Sequence, residues 1–267
     1  MKKIKYALRA YLRRAGIYLG KRTKKRELQA FFQRLYPVTT NRKLVRIGEA
    51  SDGGYLLPDD LEGIDACFSP GVAEDSHLET CLSEKGIKCY LADYSVDAPP
   101  TENLLFDFEK KFVGMENNSV YMTLEDWVSR KTSKEASDLI LQMDIEGAEY
   151  EVILDTSNEL LKRFRIMIIE FHNLDFLIDR LGFQTIDIVF RKLLKHFDVV
   201  HIHPNNYSKP EKDRGFEFPP LMEFTFLRKD RITERTFTTT FPHKHDSTNV
   251  PGKPDFPLPK CWYSQKL

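Results

Sequence analysis

The stretch "RIMIIEFH", residues 165 to 172, carries four consecutive apolar residues, Ile166 to Ile169, between a charged residue and an acid. A strand with one wet face alternates apolar with polar, whereas a strand whose apolar residues are consecutive needs cover on both faces. "DLILQMDIE" (138 to 146) has the same character. Two such runs, interleaved with helical segments from Leu44 onward, predict a largely parallel sheet with helices on both sides.

The remaining elements follow from local signals. "DACFSPGV" (65 to 72) reads as a first strand, and "EDSHLETCLSEKG" (74 to 86) as a helix closed by Gly86. "IKCYLADYS" (87 to 95) is a second strand and "NLLFDFEKKFVG" (103 to 114) a third. Thr123 is placed to cap a short helix with Glu125 and Asp126 in its first turn. The runs at 138 to 146 and 165 to 172 are the fourth and fifth strands. A helix over 176 to 197 follows, then strands at 198 to 206 and 220 to 229. The tail from Thr233, rich in Pro, Thr and His, reads as a strap over the surface. The predicted organisation is a basic helical arm (1 to 40), a central domain (41 to 230) and the strap (231 to 267).

Charge divides the chain unevenly. Residues 1 to 26 hold 11 Lys/Arg and no acid, although the whole chain has 40 basic and 40 acidic residues. Ile4, Leu8, Tyr11 and Leu12 fall at helical spacing in this arm. Its first destinations are the chain's own acidic body or an anionic membrane surface, with an organelle-targeting segment as a further reading. Nucleic acid is disfavoured, because no aromatic residues interleave in an RNA-binding pattern. No run approaches the length of a membrane span, and the expected location is cytoplasmic, with peripheral attachment at the inner membrane face as the alternative. Cys67, Cys81, Cys89 and Cys261 have neither CxxC nor zinc spacing and are expected to be reduced thiols.

Ligands of open α/β sheets bind beyond the carboxyl ends of the strands. The predicted strand ends supply Ser69-Pro70-Gly71, Asp93, Asp144 with Glu146, Glu170 with His172, and His201 with His203. Gly71 permits a close backbone approach. Asp93, 22 residues later, stands where a carboxylate reaches ribose hydroxyls. A dinucleotide is disfavoured, since "SPGVAEDS" has one glycine and two acids, Glu74 and Asp75, where G-x-G-x-x-G would bind pyrophosphate. An acidic loop suits a cationic ligand without phosphate, such as S-adenosylmethionine.

On these residues the chain resembles the FkbM-type S-adenosylmethionine-dependent methyltransferases. The resemblance runs through "RIGEASDGGYLLPDDL" (46 to 61), "CFSPGVAEDSHLE" (67 to 79), "YLADYS" (90 to 95), "FDFEKKFVG" (106 to 114) and "TLEDW" (123 to 127). It continues through "LILQMDIEGAEYEVIL" (139 to 154), "IIEFHNLD" (168 to 175) and "LPKCWY" (258 to 263). It implies the class I methyltransferase fold, a Rossmann-like seven-stranded α/β sheet with the last strand antiparallel and helices on both faces. It also implies a lid near the donor at "SDGGY" (51 to 55), where the residues alone suggest a hairpin. The family's glycine-rich first loop is reduced here to "SPGVAED".

The candidate donor-binding residues are therefore Gly71, Glu74, Asp93 and Asp144, and the candidate catalytic residues His172 and Glu146. Asp144 and Glu170 resemble the ligands of metal-dependent O-methyltransferases, with Mg²⁺ or Mn²⁺ as the ion. An acidic pocket without metal and a purely structural network remain open beside that reading. Glu149 and Glu151 are accounted for by the dipole of a helix starting near Gly147. His201 and His203 share a strand face and are substrate contacts, metal ligands or an ordinary polar strand end. The expected activity is methyl transfer to a sugar or glycan hydroxyl. The alternatives are a metal-dependent glycosyltransferase using Asp144-x-Glu146 and a non-catalytic docking module.

Overall fold

The computed structural model describes residues 11–12, 14–16, 20–73, 75–132 and 137–264. Helix α1 (Lys25–Leu35) precedes the short strands β1 (Val38–Thr40), β2 (Leu44–Ile47) and β3 (Tyr55–Pro58). Next come β4 (Ile64–Pro70), α2 (His77–Glu84), β5 (Lys88–Ala92), β6 (Phe106–Glu109), β7 (Phe112–Gly114), β8 (Tyr121–Thr123) and α3 (Leu124–Lys131). The second half runs β9 (Asp138–Met143), α4 (Glu149–Asp155), α5 (Asn158–Leu161), β10 (Phe164–Phe171), a 3₁₀ turn (Leu174–Ile178) and α6 (Arg180–Leu193). It closes with β11 (Phe197–Pro204), β12 (Glu211–Asp213), β13 (Phe216–Phe218), β14 (Met222–Arg228) and β15 (Arg235–Phe237).

Seven strands form one sheet in the order β11-β14-β10-β9-β4-β5-β6. Neighbours from β6 to β10 are parallel, and β14 is antiparallel to both β10 and β11. The expected topology, with the last strand reversed, is met. The apolar runs behave as the sequence requires: all eight residues of β10 are buried. On β9, Leu139 and Leu141 join the core under α1, α3 and α6, while Ile140 joins the core under the β2–β3 hairpin and α2.

Two local readings are refined and two are met. The third predicted strand splits, because the chain leaves the sheet edge at Lys110 after β6 and re-forms as β7 beside β8. The long helix starts later than residue 176, since the Asp179 side chain accepts from Leu181 N–H and fixes the cap of α6 there. Thr123 does cap α3, accepting from Asp126 N–H. "SDGGY" lies in the turn of an antiparallel hairpin, β2–β3.

Residues 1–10, 13 and 17–19 of the basic arm lie outside the described residues. From Lys21 the chain is docked by backbone bonds: Arg180 N–H donates to Lys21 O and Thr23 N–H to Ile178 O. Helix α1 then buries Leu28, Phe31, Phe32 and Leu35. The strap returns to meet it. β15 pairs with β1, and the wholly buried Trp262 packs edge-on against Phe32 with ring centroids 4.7 Å apart. Among the described residues no helix is long and apolar enough to cross a membrane.

Candidate functional site

The carboxyl ends of β4 and β9 are pressed together by a glycine. Gly71 has φ +88°, and a Cβ built on it would fall 1.6 Å from the carbonyl oxygen of Asp144. A side chain at 71 would thus be both strained and obstructed. Gly71 N–H donates to Ala92 O, which ties the same turn to the end of β5. Asp93 stands behind this loop and is 4% exposed. Its Oδ2 accepts from Ala73 N–H at 3.0 Å, and its Oδ1 accepts from both the amide and the hydroxyl of Ser95. A carboxylate oxygen accepts about two hydrogen bonds, so Oδ2 keeps one position for a further donor. Glu74 lies outside the described residues.

In front of the loop is a cavity of about 460 Å³. The described residues lining it include five acids, Asp52, Asp75, Glu79, Asp144 and Glu146, and no Lys, Arg or His. Its floor is a buried polar chain in which Glu79, Ser69 and Gln142 are linked by hydrogen bonds. Burial raises the Glu79 carboxyl to about 7. A protonated Glu79 can then donate to Ser69 Oγ while the Ser69 hydroxyl donates to Gln142 Oε1. Asp52 and Gly53 bring the β2–β3 turn to the cavity rim. Asp75 belongs to the acidic loop expected from "SPGVAEDS", whereas Glu79 and Gln142, on a helix and in a strand interior, carry no signal in the sequence, and only the fold collects them with Asp52 of the hairpin turn.

The cavity continues into a carboxylate and histidine cluster, in which one ligand atom each from Asp144, Glu170 and His172 lies within 4.8 Å of the others. The geometry begins at the turn after β9. Glu146 has φ +56° and Gly147 φ +104°, so the chain reverses tightly and α4 starts at once. The reversal swings Glu149 inward, where Oε1 accepts from Ile145 N–H (3.1 Å) and Gly147 N–H (3.0 Å). The same oxygen is 3.0 Å from His172 Nδ1. Glu149 is fully buried while Glu151 is exposed, so the dipole account that covered both is sufficient only for Glu151. Glu149 orients the histidine ring.

With Nδ1 so engaged, His172 turns Nε2 toward Glu146 Oε2 (3.3 Å) and Asp144 Oδ1 (3.8 Å). Burial raises the Asp144 carboxyl to about 7, with Glu149 and Glu146 adding to the effect and His172 opposing it. Burial alone would lower His172, but the hydrogen bond to Glu149 and the charges of Glu149, Asp144 and Glu146 carry it above the usual histidine value. Glu170 is also pushed well up, by burial and then by Asp144, Glu223 and Asp52. The cluster thus holds more carboxylates than it can keep ionised without a cation.

Glu170 also belongs to a row across the antiparallel part of the sheet. It pairs in register with Glu223 of β14, which in turn pairs with His203 of β11. Like charges placed opposite each other are unfavourable. Here amides moderate them: Asn205 Nδ2 donates to Glu170 Oε1, and Asn249 Nδ2 to Glu223 Oε1. Glu223 is a lone acid in the apolar run "PLMEFTFL", a visible signal the sequence reading did not use. His201 and His203 do share a face, as alternation requires, but they meet Asp246 of the strap and do not line the acidic cavity.

The strand order with its reversed β14 defines a Rossmann-like α/β fold of the class I methyltransferase type. Residues 121–196 match the family model described as the methyltransferase FkbM domain. The matched stretch runs from β8 through α6 and contains Asp144, Glu146, Glu149, Glu170 and His172. Gly71 and Asp93 precede it. No curated protein matches the chain.

Proposed function

We propose that this protein is an S-adenosylmethionine-dependent O-methyltransferase acting on a sugar or glycan hydroxyl. One observation carries the choice of donor: a cavity at the carboxyl ends of β4 and β9 whose described lining has five acids and no basic side chain. A nucleotide sugar would bring phosphates into that field, whereas a donor with a sulfonium and an ammonium group suits it. Asp144 Oδ1 adds a buried acceptor with no hydrogen-bond partner among the described residues. When bound, the donor supplies an electrophilic methyl group. Gly71 leaves room for its approach, Asp93 Oδ2 offers an acceptor to a hydroxyl, and Asp144 and Glu146 balance positive charge.

The protein's own contribution to the reaction is orientation and a proton acceptor. Glu149 fixes the proton of His172 on Nδ1, which leaves Nε2 to receive the proton of the acceptor hydroxyl. A cation in the cavity opposes a second proton on the ring and keeps this base available. A divalent ion on Asp144 and Glu170 is the second reading, favoured by the close approach of ligand atoms in the cluster. It would be Mg²⁺ or Mn²⁺, which prefer carboxylate oxygens.

Calorimetry with S-adenosylhomocysteine and with uridine diphosphate tests the donor class. Binding of the first alone is expected, and binding of the second alone would favour a glycosyltransferase. Chelation separates the two activation schemes, since activity that survives it rests on His172 without metal. The basic arm is proposed to hold the protein on anionic membrane at the inner face, on the strength of its charge.

A further inference from the structure

We propose that His201, His203 and Asp246 form a binding site for one zinc-type divalent ion, which fastens the strap to β11. The site is separate from the acidic cavity and does not rest on the methyl-transfer reading. His201 and His203 project from the same face of β11 and are 3% and 7% exposed. The strap lays Asp246 over them. Its Oδ1 is 2.8 Å from His201 Nε2 and its Oδ2 is 3.8 Å from His203 Nδ1. Bonds of about 2.0 to 2.1 Å in a tetrahedral zinc site put ligand atoms roughly 3.3 Å apart, and the two separations bracket that value. Two imidazoles and a carboxylate suit zinc and its first-row neighbours.

The hydrogen-bond network settles which nitrogen of His203 is bare. The Nδ2 of Asn249 faces two carboxylates, Glu223 Oε1 and Asp52 Oδ1, so the amide nitrogen has to point that way. Asn249 Oδ1 is then the atom 3.0 Å from His203 Nε2, and Nε2 carries the proton. In the neutral ring that leaves Nδ1 as a buried lone pair with no hydrogen-bond partner among the described residues, aimed at Asp246. A lone pair facing a carboxylate is unfavourable with nothing between them, and a proton on Nδ1 would be too far from Asp246 to hydrogen-bond. A cation resolves both. Metal-binding histidines commonly donate their other N–H to an acceptor that fixes the ring, the part Asn249 takes here. Asp246 is held in place as well, since its Oδ2 accepts from His243 N–H. A cavity of about 210 Å³ bordered by His203, Asp246 and Phe241 leaves space for a fourth ligand such as water.

The consequence reaches the donor cavity, because Asn249 bonds both His203 and Asp52 on the β2–β3 turn. The test is a titration of the full chain, stripped with chelator, with Co²⁺ as a visible-absorption probe and Zn²⁺ as competitor. One equivalent of Co²⁺ is expected, displaced by Zn²⁺, with a rise in melting temperature on adding Zn²⁺. Asp246→Asn and His203→Gln should each weaken Co²⁺ binding at least about 100-fold, and Asn249→Ala by about 10- to 100-fold. Asp144→Asn should leave it unchanged. Failure of the wild-type chain to bind one equivalent would overturn the proposal, as would binding that survives Asp246→Asn or disappears in Asp144→Asn. Because binding that persists in Asp144→Asn already places the ion outside the acidic cavity, a strap variant that fails to fold leaves the test intact.

Discussion

The two halves of the sheet treat buried acids in opposite ways. On the parallel half, Asp144 and its neighbours look into a cavity where the described residues supply few partners, and Asp144 Oδ1 has no hydrogen bond among them. On the antiparallel half, Glu170 and Glu223 are met by Asn205 and Asn249 from the loop after β11 and from the strap. An acid at a strand end is therefore not a site by itself. The informative feature is whether another part of the chain returns to satisfy it. Asp144 is left for an external cation and Glu223 is closed from within, while Glu170, with Oε1 bonded by Asn205 and Oε2 without a partner among the described residues, stands at the boundary between them.

The comparison breaks most visibly at Gly71. Gly71→Val puts branched carbon into the Asp144 carbonyl at a positive φ, so S-adenosylhomocysteine affinity should fall at least about 100-fold, measured by calorimetry on protein shown to be folded by circular dichroism. Unchanged affinity would remove the cavity from the donor site. His172 sits at the seam between the halves, and His172→Ala should lower turnover by about 100- to 10,000-fold with donor affinity preserved. Loss of affinity and turnover together would show that the seam belongs to donor binding. Asp93→Ala removes a charge-assisted acceptor worth about 1.5 to 3 kcal/mol, or roughly 10- to 100-fold in donor affinity. Glu223→Gln, on the closed half, should leave that affinity within about twofold.

Acidity sharpens the contrast more gently. A carboxyl whose folded pKa is raised stabilises the fold fully below its ordinary value near 4, and that contribution is lost as the pH climbs through the raised one. Asp144 and Glu79, both raised to about 7, should therefore make the melting temperature fall between about pH 4 and 7. His172 acts in the same direction, while His196, which is lowered, opposes it. Donor affinity should rise as the pH passes through about 7 and Asp144 ionises. An Asp144→Asn variant with the wild-type slope in both would show that Asp144 is not the group responsible. The smallest effect is expected from deleting residues 1 to 19, which stops short of the docked Lys21. Donor affinity should stay the same, while sedimentation with anionic vesicles falls in a salt-dependent way. Equal sedimentation of both forms would detach the arm from the membrane.

Much of this was legible in the sequence because strand burial writes itself as consecutive apolar residues. β9 and β10 were visible for that reason, and the polar residues at their ends followed. What could not be read is which distant segment answers each end. Glu149 and Glu151 look alike in "GAEYEV", yet the left-handed turn at Glu146 and Gly147 directs one inward and leaves the other in solvent. His201 and His203 were seen as a pair, but their partner Asp246 lies in a Pro- and Thr-rich tail with no periodicity to place it. Asp52, Asp75 and Glu79 become neighbours only when the hairpin and α2 close over the sheet.

The packing of Trp262 on Phe31 and Phe32 has a consequence for how the chain is made. On a ribosome adding about 5 to 20 residues per second, helix α1 emerges tens of seconds before the segment that covers its aromatic face. Through that interval two phenylalanines, wholly enclosed in the finished protein, have no lid. Phe183, Phe190, Phe216 and Phe218 arrive in between, so a shortened message that ends before the strap would release a polypeptide in which these rings lack only their Trp262 cover, a smaller apolar opening for a chaperone or protease to find.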